Sequence, residues 1–160
     1  MTSSKRRVWT LGVLALCAAP VWSAGAAEWQ SYATFTFQNR AVDLPDGRTV
    51  MTFTNNGAYQ NIWSDRVTVG TLACTGMVER GADGVDLDGY CEHVDPDGDK
   101  YFQRSQRSKS AQAGGVGHET GLGGTGKHVG RQWTCEYTVT YVSASWGVVN
   151  STCSGDPPKS

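Results

Sequence analysis

Beyond Glu28 no window of the chain holds a sustained 3.6-residue apolar period, which excludes helical bundles and parallel sheets covered by helices. The cysteines of that region, Cys74, Cys91, Cys135 and Cys153, contain no C-x2-C pair, so a four-thiolate zinc site is disfavoured. His118-Glu119 lacks the second histidine of H-E-x-x-H, and no G-x-S-x-G occurs, which removes two common hydrolase signatures. No excess of positive charge is present, with 14 Lys and Arg against 15 Asp and Glu. A phosphate-backbone partner therefore finds no basic patch, and no nucleic acid is expected.

The longest apolar run, Val8 to Trp22, is broken by Thr10, Gly12 and Pro20, and falls short of the roughly 20 residues of a membrane span. Lys5, Arg6 and Arg7 precede it and Ala24-Gly-Ala26-Ala27 follows it, the order of a secretory leader cleaved near Ala26 or Ala27. Arg6-Arg7 also resembles a twin-arginine signal, and Leu14-Ala-Leu-Cys17 a lipoprotein box with Leu16 where a small residue is usual. Residues 1–27 are thus read as a signal peptide and the mature chain as secreted or periplasmic, with no stable membrane span. Loss of the three basic residues takes the formal charge from −1 to −4. Residues 28–155 form one domain by size, and 156–160 read as a disordered tail.

Two segments imitate metal or nucleotide sites. Gly121-Leu-Gly-Gly-Thr-Gly-Lys-His128 is one residue from a phosphate-binding loop, but His128 stands where Ser or Thr must hold magnesium, and neither a buried parallel strand nor a helix flanks it. Asp95, Asp97 and Asp99 open like a calcium loop, yet Lys100 and Gln106 occupy the positions of its glycine and its bidentate glutamate. Asp95-Pro-Asp-Gly-Asp99 fits a hairpin turn better.

What is present is alternation. Trp29, Ser31, Ala33, Phe35 and Phe37 interleave with Gln30, Tyr32, Thr34, Thr36 and Gln38, a half-buried strand. Further strands are expected near Thr49–Asn55, Ala58–Val69, Thr71–Glu79, Asp88–Asp95, Lys100–Arg107, Arg131–Val142 and Trp146–Ser154. Ser108 to Lys127, rich in Gly and Ser, reads as either a long loop or a glycine-bent strand. A hairpin turning at Ser143-Ala144-Ser145 sets Cys135 opposite Cys153, Val139 opposite Val149 and Tyr137 opposite Ser151, with Trp133, Tyr137, Val139 and Tyr141 on the buried cysteine face. A second, centred on Ala82 and Asp83, sets Cys74 opposite Cys91, with Leu72, Val78, Leu87 and His93 on the same face. Two disulfides, Cys74–Cys91 and Cys135–Cys153, follow, as an exported chain permits. The Asp95–Asp99 turn brings His93 beside Tyr101, or beside Phe102 if a bulge intervenes.

The leader, Gly89-Tyr90-Cys91, the Asp95-Pro-Asp-Gly-Asp-Lys100 turn and Gly123-Gly-Thr-Gly-Lys-His-Val-Gly130 together resemble small bacterial secreted proteins related to the allene oxide cyclase and dirigent barrels. Relatives commonly carry an aromatic at the position of His128 and a further glycine where Gln132 and Trp133 stand. The resemblance implies an all-β, eight-stranded antiparallel up-and-down barrel with a cavity at one mouth, consistent with the alternation. It also implies chemistry without a cofactor, although no acid of this chain falls in a matching catalytic motif. The residues themselves nominate His93, Tyr101, Tyr137, Tyr141 and Glu119 as cavity groups, with His93 and Tyr101 as the acid–base candidates. Three functions fit: a binder of a small apolar or amphipathic ligand, a cofactor-free cyclase or isomerase, and a disulfide-braced structural or interaction module. Barrels of this kind also assemble as homo-oligomers. Lys127 and His128 are expected at an exposed barrel edge.

Overall fold

A computed structural model describes residues 26–110 and 115–159. Eight antiparallel strands follow one another round a closed barrel: β1 Ala27–Asp43, β2 Thr49–Ile62, β3 Val67–Gly81, β4 Gly84–Val94, β5 Lys100–Ser110, β6 Gly115–Gly124, β7 Trp133–Tyr141 and β8 Trp146–Gly155, with β8 returning to β1. Closure leaves the sheet without outer strands and satisfies the backbone by neighbour pairing. Most of the expected leader lies outside the described residues; Ala27 already pairs with Gly155. Among the described residues no helix is long and apolar enough to cross a membrane.

Both cysteine hairpins have the register the alternation predicts. Cys74 pairs with Cys91 and Cys135 with Cys153, and both pairs are disulfide-bonded. Val139 faces Val149, Tyr137 faces Ser151 and His93 faces Tyr101. Phe102 instead pairs with Glu92, because the bulges fall elsewhere, between Val85 and Leu87 and between Tyr101 and Gln103.

Strand limits differ from expectation in the first half. Asn56-Gly57, read as a break, lies inside β2, and Gly70, read as another, lies inside β3. A side chain at Gly57 would overlap the Thr34 carbonyl, and one at Gly70 the Val94 carbonyl and the Tyr59 ring. These glycines serve close packing rather than turning. The true turn falls between them, where the Trp63 amide bonds the Arg66 carbonyl across Ser64 and Asp65. Within Ser108 to Lys127 the described residues form the end of β5, the whole of β6 and the start of a one-turn helix at Gly126–His128, while 111–114 lie outside the described residues. Gly117 and Gly121 there face inward, and the rings of Tyr137 and Trp133 lie where their side chains would be. The last residues, expected to be disordered, are hydrogen-bonded: the Asp156 amide to the Gln132 carbonyl and the Lys159 amide to the Lys127 carbonyl.

The interior divides into two levels. At the end formed by the β2–β3 and β4–β5 turns, Trp29, Tyr59, Trp63, Tyr101 and Trp133 pack into one cluster. At the other end the barrel is hollow. Gly121→Ala should push the Trp133 indole and cost about 2 kcal/mol by overpacking; urea unfolding checks it, and an unchanged midpoint would mean that the indole does not lie across β6.

Candidate functional site

The packed end is organised by charge as well as rings. Arg131 is 4% exposed, and its guanidinium lies 4.9 Å from the centre of Trp133 and 5.7 Å from those of Trp29 and Trp63, which are themselves stacked 4.3 Å apart. Three indole faces replace part of the water such a cation loses. Burial still lowers the Arg131 pKa below its usual value. Its Nη1 donates to His128 Nδ1 at 2.8 Å and its Nε to the Asp156 carbonyl at 2.8 Å. A guanidinium can only donate, so His128 Nδ1 accepts, and Nε2 carries the proton donated to Asp95 Oδ2 at 2.8 Å.

Asp95 also receives the Tyr59 hydroxyl and an ion pair from Lys127 Nζ at 2.7 Å. Burial alone would raise its pKa; the hydrogen bonds from His128, Lys127 and Tyr59 overcome this and hold it well below the carboxylate range. The expected exposed edge is thus corrected. His128 is 2% exposed inside the barrel end, and Lys127 lies over the acidic turn, bonding Asp97 at 2.5 Å as well. The Lys127 amide donates to Asp99 Oδ2 at 3.0 Å, and the Asp99 carboxylate sits where a side chain on Gly126 would project. The phosphate-loop lookalike therefore does cradle anions, and they are the chain's own aspartates. Among the described residues no group of three or more His, Cys, Asp or Glu is placed to hold a metal ion.

The hollow end holds a cavity of about 430 Å³. Its β1–β4 wall is largely apolar, with Phe35, Phe37, Met51, Phe53, Leu72 and Val78, while β5, β6 and β8 add Gln103, Ser105, Arg107, Glu119 and Ser151. One side suits a hydrocarbon, the other a polar group. Glu119 is 8% exposed, and its two carboxyl oxygens each accept a hydroxyl at 3.4 Å, from Ser105 and Ser151. Burial pushes its pKa up to about 7, only partly countered by those two long bonds.

Four of the five nominated residues line this cavity: His93, Glu119, Tyr137 and Tyr141. Tyr141 stands at the mouth, 43% exposed, with its ring 5.6 Å from Phe37. Burial raises the Tyr137 phenol above its usual range. Tyr101 is not in the lining. It stacks on His93 at 4.3 Å, packs on Trp133 and His128, and accepts from Asn61 Nδ2 at 3.3 Å within the sealed level. His93 forms part of the boundary between the levels. Its Nδ1 is buried without a partner among the described residues, and burial lowers its pKa to about 3, so the ring stays neutral near pH 7 and is a poor proton carrier. Of the titrating groups, Glu119 is the better placed. Gln103, Ser105, Arg107 and Ser151 were missed because polar residues in an alternating strand look like its outer face. The one available signal is that they share the odd-numbered face of Tyr101 and Cys153.

Comparison of the chain with protein-family models, curated proteins and solved structures finds no match.

Two outcomes test this geometry. Glu119 binds its proton more tightly folded than unfolded, so its contribution is complete below pH 4.5 and is lost as pH rises to about 7, on the order of 3 kcal/mol over that window. Glu119→Gln should therefore gain stability relative to wild type between pH 5 and 8 in urea unfolding; a constant difference would mean an ordinary, hydrated carboxylate. The ionised Asp95 acts in the opposite sense, its contribution being lost on acidification below pH 3.8. Asp95→Asn should cost about 3 kcal/mol near neutral pH by leaving its donors uncompensated, and a loss under about 1 kcal/mol would show the cluster to be dispensable.

Proposed function

We propose that this chain is an exported barrel that holds a small amphipathic ligand in its open end. The cavity carries the reading: about 430 Å³ of space, a largely apolar lining interrupted by the polar group of Gln103, Ser105, Arg107, Glu119 and Ser151, within the size range of small-molecule sites. A purely structural module would be expected to fill its barrel along the whole length, as this one does only at the tryptophan end. Two disulfides and the leader-like N-terminus support a secreted or periplasmic location. The resemblance to the cyclase and dirigent barrels agrees with a ligand held inside a barrel.

A second reading, a cofactor-free cyclase or isomerase, has one observation in its favour. Glu119 titrates near neutral pH inside the cavity, which suits a group that both gives and takes a proton. His93, held neutral, would then orient or stack on a substrate rather than move protons. Recovery of a bound molecule unaltered after incubation favours binding; its conversion, lost in Glu119→Gln, favours the enzyme.

The neutral fluorophore 1-aminoanthracene should bind saturably, one per chain, with the emission shift of an apolar site. Ala33 lines the cavity, and Ala33→Trp should fill it and weaken binding by about tenfold or more. Binding that survives that substitution, or no binding by wild type, would remove the cavity as the site.

A further inference from the structure

We infer that the ligand carries an uncharged planar head with a donor and an acceptor side by side, a primary amide, and that it enters head first to pair with the Gln103 amide near the cavity floor. This rests on the ligand-binding reading above and adds to it the chemistry of the head and the direction of entry. Gln103 is turned into the cavity from β5 and is 8% exposed. Its amide makes no hydrogen bond among the described residues, and its oxygen and nitrogen both border open space.

Its neighbours explain why the chain does not satisfy it. Across β4 stands Cys91, tied to Cys74, and across β6 stands Gly121, which has no side chain to offer. Along β5 the Tyr101 hydroxyl is engaged by Asn61 and the Ser105 hydroxyl by Glu119. The remaining polar neighbour, His93, has a buried Nδ1 that is itself without a partner among the described residues, and its ring is uncharged near pH 7. A ligand that fills the cavity without a polar head leaves the Gln103 amide unpaired, at a cost in affinity.

An amide side chain presents a carbonyl and an N–H edge together, and a second amide matches both at once. A carboxylate or an ester brings only acceptors, so the Gln103 carbonyl stays unpaired. A charged head would also shed its hydration for two uncharged partners, Gln103 and His93. Arg107, two inward positions nearer the mouth, already has its own partner. Gln103 is the inward residue next to Tyr101 at the floor, whereas Phe37 and Tyr141 pack together at the mouth, so the head lies deep and the apolar body points outward. Glu119 stands beside that path, and its carboxyl can accept the head's second N–H with or without its own proton.

Calorimetric titration of the mature protein with octanamide and methyl octanoate, which share a chain and an acceptor and differ in the donor, tests this. Octanamide is expected to bind about tenfold more tightly, the effect of one hydrogen bond to a buried group. Gln103→Leu, close in size and without polar atoms, should bring the two to similar affinity while 1-aminoanthracene still binds, with its fold verified by circular dichroism. Octanamide bound by wild type no more tightly than the ester, or less tightly than octanoate, would overturn the amide head, and bound 1-aminoanthracene would leave the cavity standing. Binding of none of these four compounds would overturn the ligand-binding reading itself. An octanamide preference that survives in folded Gln103→Leu would remove Gln103 from the site. The wild-type comparison alone decides the head group if that variant does not fold.

Discussion

The carboxylate of Asp95 holds the barrel's sealed end together. It accepts from Tyr59 on β2, from His128 on the loop before β7 and from Lys127 beside it, so one buried anion joins segments far apart in the chain. Through His128 the same network reaches Arg131, and through Arg131 the three indoles that plug the end. A buried carboxylate with fewer donors would be costly; with these it is held ionised. The acidic turn and the glycine-rich loop are therefore one structure, and the glycines let the loop close over the aspartates.

Sealing one end changes what the other can be. Large rings fill the tryptophan level, and the inward Gly121 of β6 makes room for one of them, Trp133. In the hollow level the small inward residues Ala33, Ser105, Ser151 and Gly89 leave space among the larger rings, and a cavity remains. The Cys74–Cys91 bridge lines that hollow half and cross-links β3 to β4 there. His93 and Tyr101, paired across β4 and β5, mark the floor.

The two hairpin registers could be read from residues alone, because each cysteine pair and its apolar partners agree on a single alternation. The β2 and β3 limits could not, since Gly57 and Gly70 signal a turn in sequence and a close backbone approach in space. Among the cavity groups, His93, Tyr137 and Tyr141 were legible as titratable or aromatic residues on an inward parity, and Glu119 only as a titratable residue in a segment that reads as either loop or strand. Arg107 was not, because a strand of mixed polar residues does not reveal which face is turned in. His128 was misplaced for a related reason: its burial depends on Asp95, 33 residues earlier, and no local pattern reports that contact.

The central claim is a barrel with one packed level and one ligand-holding level. Side-chain NMR during titration with 1-aminoanthracene tests it most directly. The account predicts saturable shifts at Phe35, Phe53, Leu72 and Tyr137, with the indole signals of Trp29, Trp63 and Trp133 unmoved. Shifts centred on those indoles, or confined to the outer face while the cavity signals stay fixed, would contradict it.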